Sequence, residues 1–304
     1  MEGITILLSE DMLDHYLKAG RIASEVRHQA KNSVKAGASI LQICETVEGD
    51  IWKRGGKPAF PCNVCVNDVA AHYSSPLDDV KTIPNGAIVK VDLGVQVEGY
   101  VADTTTTVSL DPQYESMVHA VSEALEQAIK AVKPKAKIGQ IGQTVQKTIE
   151  KYGFKPIRNL SGHQMNRYVL HTGKSIPNVG SFIPYSMDEG EVYAIEPFLT
   201  LASGKGEVEG TKNAYIYRFQ KERRLDNSNA MELLASIKAS YKSLPFSPRW
   251  IKGNEKGTRE AFNELIAKKC VSSYPVLVEA AGCVVAQAEH TVIVTKDGCI
   301  VTTR

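Results

Sequence analysis

The chain has 304 residues, of which 36 are basic and 34 acidic, giving a formal charge of +2, and 43% are hydrophobic. That balance excludes a polyelectrolyte built for nucleic acid, so no DNA partner is expected. No apolar run approaches the ~20 residues that span a bilayer, and the first ten residues lack a basic stretch, so a chain that is not membrane-bound, not secreted and cytoplasmic is expected.

The six cysteines (44, 62, 65, 270, 283 and 299) lack a disulfide-framework spacing, and Cys62-Asn-Val-Cys65 is a lone pair without a second to complete a zinc ribbon. Free thiols in a reducing compartment are the expectation.

Taken in chain order, a helix is expected from Ser9, with Glu10 and Asp11 in its first turn, where the macrodipole favours acids. Its apolar stripe runs Met12, Tyr16, Ala19, Ala23, Val26, Ala30. A second helix begins at Ser39, which forms a capping box with Gln42, turns Ile40, Ile43, Val47 and Ile51 inward, and ends at Gly55-Gly56.

Next comes a hairpin, Val89–Val108, turning at Glu98-Gly99. Paired positions then sum to 197, so Gly94 opposes Asp103 and Asp92 opposes Thr105. Alternation puts Asp92, Gly94 and Asp103 on one face, with the two aspartate backbones roughly 7–8 Å apart and open space expected over Gly94. Two like charges on an apolar sheet face are costly unless a cation lies between them or the face is open to water.

A helix follows from the Asp111 cap and Pro112 to about Val132. The earlier pattern then returns: shifted by 98 residues, Val34–Pro58 aligns without a gap on Val132–Pro156, with 13 of 25 pairs identical. Two halves of helix–helix–strands joined in one sheet is the economical reading, and a site between them draws groups from both. Strand-like runs follow at Pro156–Leu160, Val169–His171, Val192–Thr200, Ala214–Phe219, Val276–Ala280 and Cys283–Val294. Residues 221–272 break this rhythm and read as a helical insertion, with helices at about Asp226–Tyr241 and Thr258–Cys270 around the link Leu244-Pro-Phe-Ser-Pro-Arg-Trp250. Residues 1–220 and 273–304 then form the main domain. The insertion carries 11 basic and 6 acidic residues, or +5, a surface suited either to solvent or to an RNA-rich partner.

Three more charged groups interrupt apolar segments: His163 after Ser161-Gly162, Glu196 in Val-Tyr-Ala-Ile-Glu-Pro-Phe-Leu, and Glu289 in Ala-Gln-Ala-Glu-His-Thr-Val-Ile-Val. Each alone suits a sheet edge; together with Asp92 and Asp103 they form a set. Four carboxylates and an imidazole suit Mn, Fe(II), Co or Mg better than a thiolate-type zinc site. Such a set is sufficient for two ions roughly 3.5–4 Å apart that lower the pKa of a bridging water.

The segments Ala59–Pro76, Val91-Asp-Leu-Gly94, Ala102-Asp-Thr-Thr105, Asn159-Leu-Ser-Gly-His163 with Val169-Leu-His-Thr-Gly-Lys174, Ala194-Ile-Glu-Pro197 and Gln287-Ala-Glu-His-Thr291 resemble those of type 2 methionine aminopeptidases. The resemblance covers nearly the whole chain, including the insertion, and matches the shorter archaeal form. It implies a pita-bread fold of class α+β: a curved antiparallel sheet backed by two pseudo-symmetric helix pairs, with a helical insertion. It implies removal of the initiator methionine from nascent polypeptides, with Asp92, Asp103, His163, Glu196 and Glu289 holding two divalent ions (Co, Mn, Fe(II) or Zn). His72 and His171 become catalytic histidines beside Glu196 that also contact substrate, and Phe60, Leu170 and Tyr274 wall the methionine pocket. A monomer is expected, with the ribosome as a further candidate partner. Ala214 departs from members that place a pocket histidine near this point. Rival readings are a proline-specific peptidase of the same fold (prolidase or X-Pro aminopeptidase) and a metal-free homologue that binds RNA or ribosomes. The insertion and the His-Thr-Gly-Lys segment speak against the first, the complete ligand set against the second. Gly173-Lys174-Ser175 is no phosphate loop, because Tyr168 stands where the motif needs glycine.

Overall fold

The computed structural model describes residues 8–251 and 256–304. Helix α1 (Glu10–Ser33) is capped by Ser9, whose hydroxyl accepts from the Met12 amide, and its small residues Ala19, Ala23 and Ala30 are buried. Helix α2 (Ile40–Lys53) is capped by Ser39 and buries Ile40, Ile43, Val47 and Ile51. Both pack on a three-stranded sheet ordered β1 (Lys57–Val66), β3 (Ile88–Val97), β4 (Tyr100–Ser109). Short β2 (Val69–Ala71) follows β1 in the chain but joins another sheet.

The second half repeats the plan. Asp111 caps a single 3-10 turn, Pro112–Tyr114, before α3 (Glu115–Lys130), and α4 (Ile138–Lys151) follows. These helices share a core with the strands behind them through Met117, Val121, Ile141, Tyr193 and Val292. Chain order continues through β5 (Lys155–Pro156), β6 (Ser161–Met165), β7 (Ser175–Pro177), β8 (Val192–Ile195), β9 (Phe198–Thr200) and β10 (Val208–Phe219). It ends with β11 (Val271–Glu279), β12 (Val285–Gln287), β13 (His290–Thr295) and β14 (Gly298–Val301). The central second-half sheet runs β14-β13-β8-β6-β7, while β12-β9-β5 and β10-β11-β2 form two smaller ones, all antiparallel.

Between β10 and β11 the chain makes α5 (Ser228–Tyr241) and α6 (Lys256–Ala267), which enclose their own small core around Leu234, Ile237, Phe246, Ala261 and Leu265. Phe219 pairs with Val271, so β11 begins at the end of the stretch read from sequence as inserted.

Several sequence expectations need correction. Val169–His171 is not a strand: Asn166 and Val169 close a tight turn, with Tyr168 at φ 57°. Of the run read as a strand at Pro156–Leu160 only Pro156 lies in one, the two-residue β5, and the separate strand Ser161–Met165 holds His163. The runs Val192–Thr200 and Cys283–Val294 each split in two, the first at Glu196-Pro197, where proline cannot donate to a ladder. Cys283 and Cys299 are half-buried, whereas the other four free thiols are buried. Among the described residues, no helix is long and apolar enough to cross a membrane.

Candidate active site

The β3–β4 hairpin has the expected register, Asp92 opposite Thr105 and Gly94 opposite Asp103. The space over Gly94 is not open, however. Phe60 pairs with Gly94 from β1, and its ring would lie 2.2–2.9 Å from any Cβ there. Glycine at 94 therefore leaves room for an aromatic ring against its backbone, two residues along β3 from Asp92 and opposite Asp103.

The second half meets this hairpin along β4. One isolated backbone bridge, Thr105 to Glu289, spans the seam, and threonine hydroxyls supply the other bonds across it. Thr104 donates to the Glu289 carbonyl at 2.8 Å, Thr105 to the Glu289 carboxylate at 2.7 Å, and Thr107 to the Gln287 carbonyl at 2.5 Å. From the other side, Thr291 Oγ1 accepts from the Asp103 amide at 2.7 Å and donates to the Asp103 carbonyl at 2.9 Å. The seam thereby delivers Glu289 to Asp103.

His163, in β6, completes a group with Asp103 and Glu289 whose ligand atoms all lie within 4.8 Å of one another. Its Nε2 is 3.7 Å from Asp103 Oδ2 and 3.4 Å from Glu196 Oε1. Glu196 stands at the break after β8, and its other oxygen accepts from Gln287 Nε2 at 3.3 Å. Asp92 belongs electrostatically to the same cluster, because its charge raises the pKa of Asp103, Glu196 and Glu289. All five groups expected from sequence are thus brought together.

Burial is the first cause that raises all four carboxyls; Asp92 is pushed up to about 7, with the Thr105 hydroxyl opposing. Mutual repulsion adds to this for Asp103, Glu196 and Glu289. Burial, then His171, drives the His163 pKa well down, so its ring is neutral, the form that ligates metal. Asp92 Oδ1, Asp103 Oδ1 and His163 Nδ1 are buried with no hydrogen-bond partner, three of only four such side-chain atoms among the described residues. A cluster of acids that share a buried space, leave acceptor atoms unpaired and sit beside a neutral imidazole fits a hard divalent cation.

The remaining expected residues sit around this cluster. The His171 ring lies 4.2 Å from that of His163, at an exposed position. Tyr274, on β11, stands between the two other histidines, 6.4 Å from His171 and 5.5 Å from His72 by ring centroids. His72 holds the left-handed backbone at φ 67°, and its Nδ1 is 3.1 Å from the Pro275 carbonyl. Phe60 and Leu170 share an apolar cluster with Met165 and Leu244, whereas Tyr274 lies apart from it on the histidine side. Sequence reasoning missed Leu244, which comes from the link after α5, and gave no role to Gln287, Thr105 or Thr291. A signal existed for Gln287, two residues before Glu289 in an alternating run.

Comparison with known proteins gives the family. The model of metallopeptidase family M24 matches residues 14–296. The chain belongs to that family. A methionine aminopeptidase of Methanothermobacter thermautotrophicus is 43% identical over 96% of this chain and 99% of its own length. Among solved structures, a thermophilic Arx1 superposes with a TM-score of 0.84 at 18% identity, covering 97% of this chain and 91% of that one. A methionine aminopeptidase of Thermotoga maritima gives 0.71 at 22% identity, with 98% of each chain covered. These two show the shared pita-bread architecture of M24 proteins, α+β in class. Membership in M24 implies use of a divalent metal, and the buried Asp103–His163–Glu289 group could hold it.

Proposed function

We infer that the chain is a methionyl aminopeptidase, a hydrolase that removes the initiator methionine by cleaving the first peptide bond of nascent proteins and peptides. Full-length similarity to methionine aminopeptidases supports the reaction. The observation that carries the mechanism is the convergence of Glu196 and His163 at 3.4 Å beside buried, unpaired carboxylate oxygens.

In this reading Asp92, Asp103, His163, Glu196 and Glu289 hold two divalent ions, with Co, Mn, Fe(II) and Zn the candidates. When bound, such ions lower the pKa of a water and polarise the scissile carbonyl. The Glu196 carboxylate, oriented by Gln287, takes the proton released as that water attacks. His171, at the pocket mouth, donates to the carbonyl oxygen as negative charge develops there. A carbonyl only accepts, so His72 donates Nδ1–H to Pro275. Burial lowers the His72 pKa despite that bond, which keeps the ring neutral and leaves Nε2 as an acceptor for the N–H of the amide on the leaving side. Phe60 and Leu170 wall the methionine side chain, and Tyr274 closes the pocket from the histidine side.

The same reading treats residues 221–272 as an insertion subdomain on a cytoplasmic, monomeric enzyme, its net charge of +5 offering a face to ribosomal RNA. Hydrolysis of Met-Ala-Ser by chelated, metal-reconstituted protein tests the proposal. Activity must depend on added metal and fall with Glu196→Ala, and Ala-Pro-Ala must resist cleavage; activity that survives both chelation and that substitution contradicts it.

A further inference from the structure

We propose that Arg249, on the link between α5 and α6, is a positioning residue for His72. This rests on the catalytic reading of His72 given above. Arg249 and Glu48 form an ion pair whose side chains are 4% and 8% exposed. The guanidinium forks onto the carboxylate, with Nη1 2.9 Å from Oε2 and Nη2 2.8 Å from Oε1. Two further bonds reach the segment that follows His72: Nε donates to the Ser75 carbonyl at 2.6 Å, and Nη2 to the Ser74 hydroxyl at 3.1 Å. Ser74 and Ser75 are themselves fully buried.

Glu48 is equally occupied. It also accepts from Trp250 Nε1 at 2.8 Å and from the Cys62 amide at 3.1 Å, two residues along β1 from Phe60. The pair is therefore a hub between the strand that carries Phe60 and the segment that carries His72, with Glu48 supplied by α2 and Arg249 by the inserted chain. A buried ion pair contributes little net stability compared with an apolar replacement of similar volume, so stability alone does not account for it. What it does fix is direction. A left-handed backbone is unfavourable at a non-glycine residue and persists only where neighbouring bonds over-determine it. At His72 those bonds come from three sides: the Pro275 carbonyl on the ring, the Val64 amide on the Tyr73 carbonyl at 2.9 Å, and Arg249 on the next two residues. Asp79 adds a tie, accepting from the Tyr73 and Ser75 hydroxyls at 2.7 and 2.6 Å.

The test is a double-mutant cycle in metal-reconstituted protein, with kcat and KM for Met-Ala-Ser as readouts. Arg249→Lys keeps the charge against Glu48 but loses the fork that reaches Ser74 and Ser75. It is expected to lower kcat by up to about 100-fold, the effect of a misplaced catalytic group, with KM changed far less. In a His72→Ala background the same substitution should change kcat less than about twofold. Ser74→Ala, which removes one neutral acceptor, should show the same dependence on His72 at a smaller size, so the test does not rely on Arg249→Lys folding. Equal fold-losses with and without His72, for both substitutions, overturn the proposal while leaving His72 catalytic. A His72→Ala enzyme with undiminished kcat/KM removes both His72's role and this inference.

Discussion

The Thr105 hydroxyl donates to the Glu289 carboxylate at 2.7 Å across the line where the two halves of the molecule meet. It fixes one carboxylate oxygen, so Glu289 is oriented before any cation arrives. Thr105→Val keeps the strand shape and removes the donor. Affinity for Mn(II), titrated calorimetrically into chelated protein, is expected to fall about 10–100-fold, as for other partners that orient ligands. Unchanged affinity would show that the hydroxyl serves the seam alone.

Gly94→Ala tests the aromatic wall. The new methyl would meet the Phe60 ring at 2.2 Å, a clash the ring can relieve only by moving into the pocket or off the sheet. The expected outcome is a KM for methionyl peptides raised on the order of 10-fold, with a stability loss of about 1–3 kcal/mol by denaturant unfolding. Phe60→Leu combined with Gly94→Ala should recover stability but not the original KM.

Metal removal should reach beyond activity. The proposed ligands come from β3, β4, β6, the end of β8 and the approach to β13, so a bound ion ties both halves to the native state. Free metal at about 100 times its dissociation constant should stabilise the fold by about 2.7 kcal/mol, read as a rise in melting temperature that chelation reverses. An Asp103→Asn, Glu289→Gln protein should show no such rise. A melting temperature indifferent to metal in the unmodified chain would contradict the ligand assignment.

Lys90 supplies a pH prediction. It is fully buried, donates to the Asn67 carbonyl at 2.7 Å, and burial pulls its pKa from 10.5 down to about 8. The folded state therefore binds this proton less tightly than the unfolded chain, so stability is lower below pH 8 and rises as pH climbs toward 10.5. Lys90→Met, which leaves the Asn67 carbonyl still bonded to the Val285 amide at 3.0 Å, should abolish that contribution. Relative to the unmodified protein it should gain on the order of 2 kcal/mol at pH 7, an advantage that fades between pH 8 and about 10.5. A pH-independent difference between the two would refute this account.

The hairpin register, the helix caps and the internal repeat were legible in the sequence because each rests on local rules: alternation, a two-residue turn and a side-chain acceptor before the first helical turn. The five acidic and imidazole groups could be grouped because charge inside apolar strands is conspicuous. Other features are tertiary and left no local mark. Phe60 filling the space over Gly94 depends on how β1 lies against β3, and Leu244 reaches the pocket wall from a link whose sequence signals only a turn. Val169–His171 misled for a related reason: Leu170 enters the apolar cluster from the end of a tight turn while Val169 is exposed, and a short apolar run does not distinguish that from a strand.

One copy of the repeat, with the strands that follow it, brings Asp92 and Asp103 but no imidazole from its strands; the other, with the chain beyond it, brings His163, Glu196 and Glu289. Expressed alone, neither fragment would own a working set of groups. A half-length ancestor of such a chain could have acquired this chemistry only as a side-by-side pair, and covalent fusion would then have freed each copy to specialise its share of the acids.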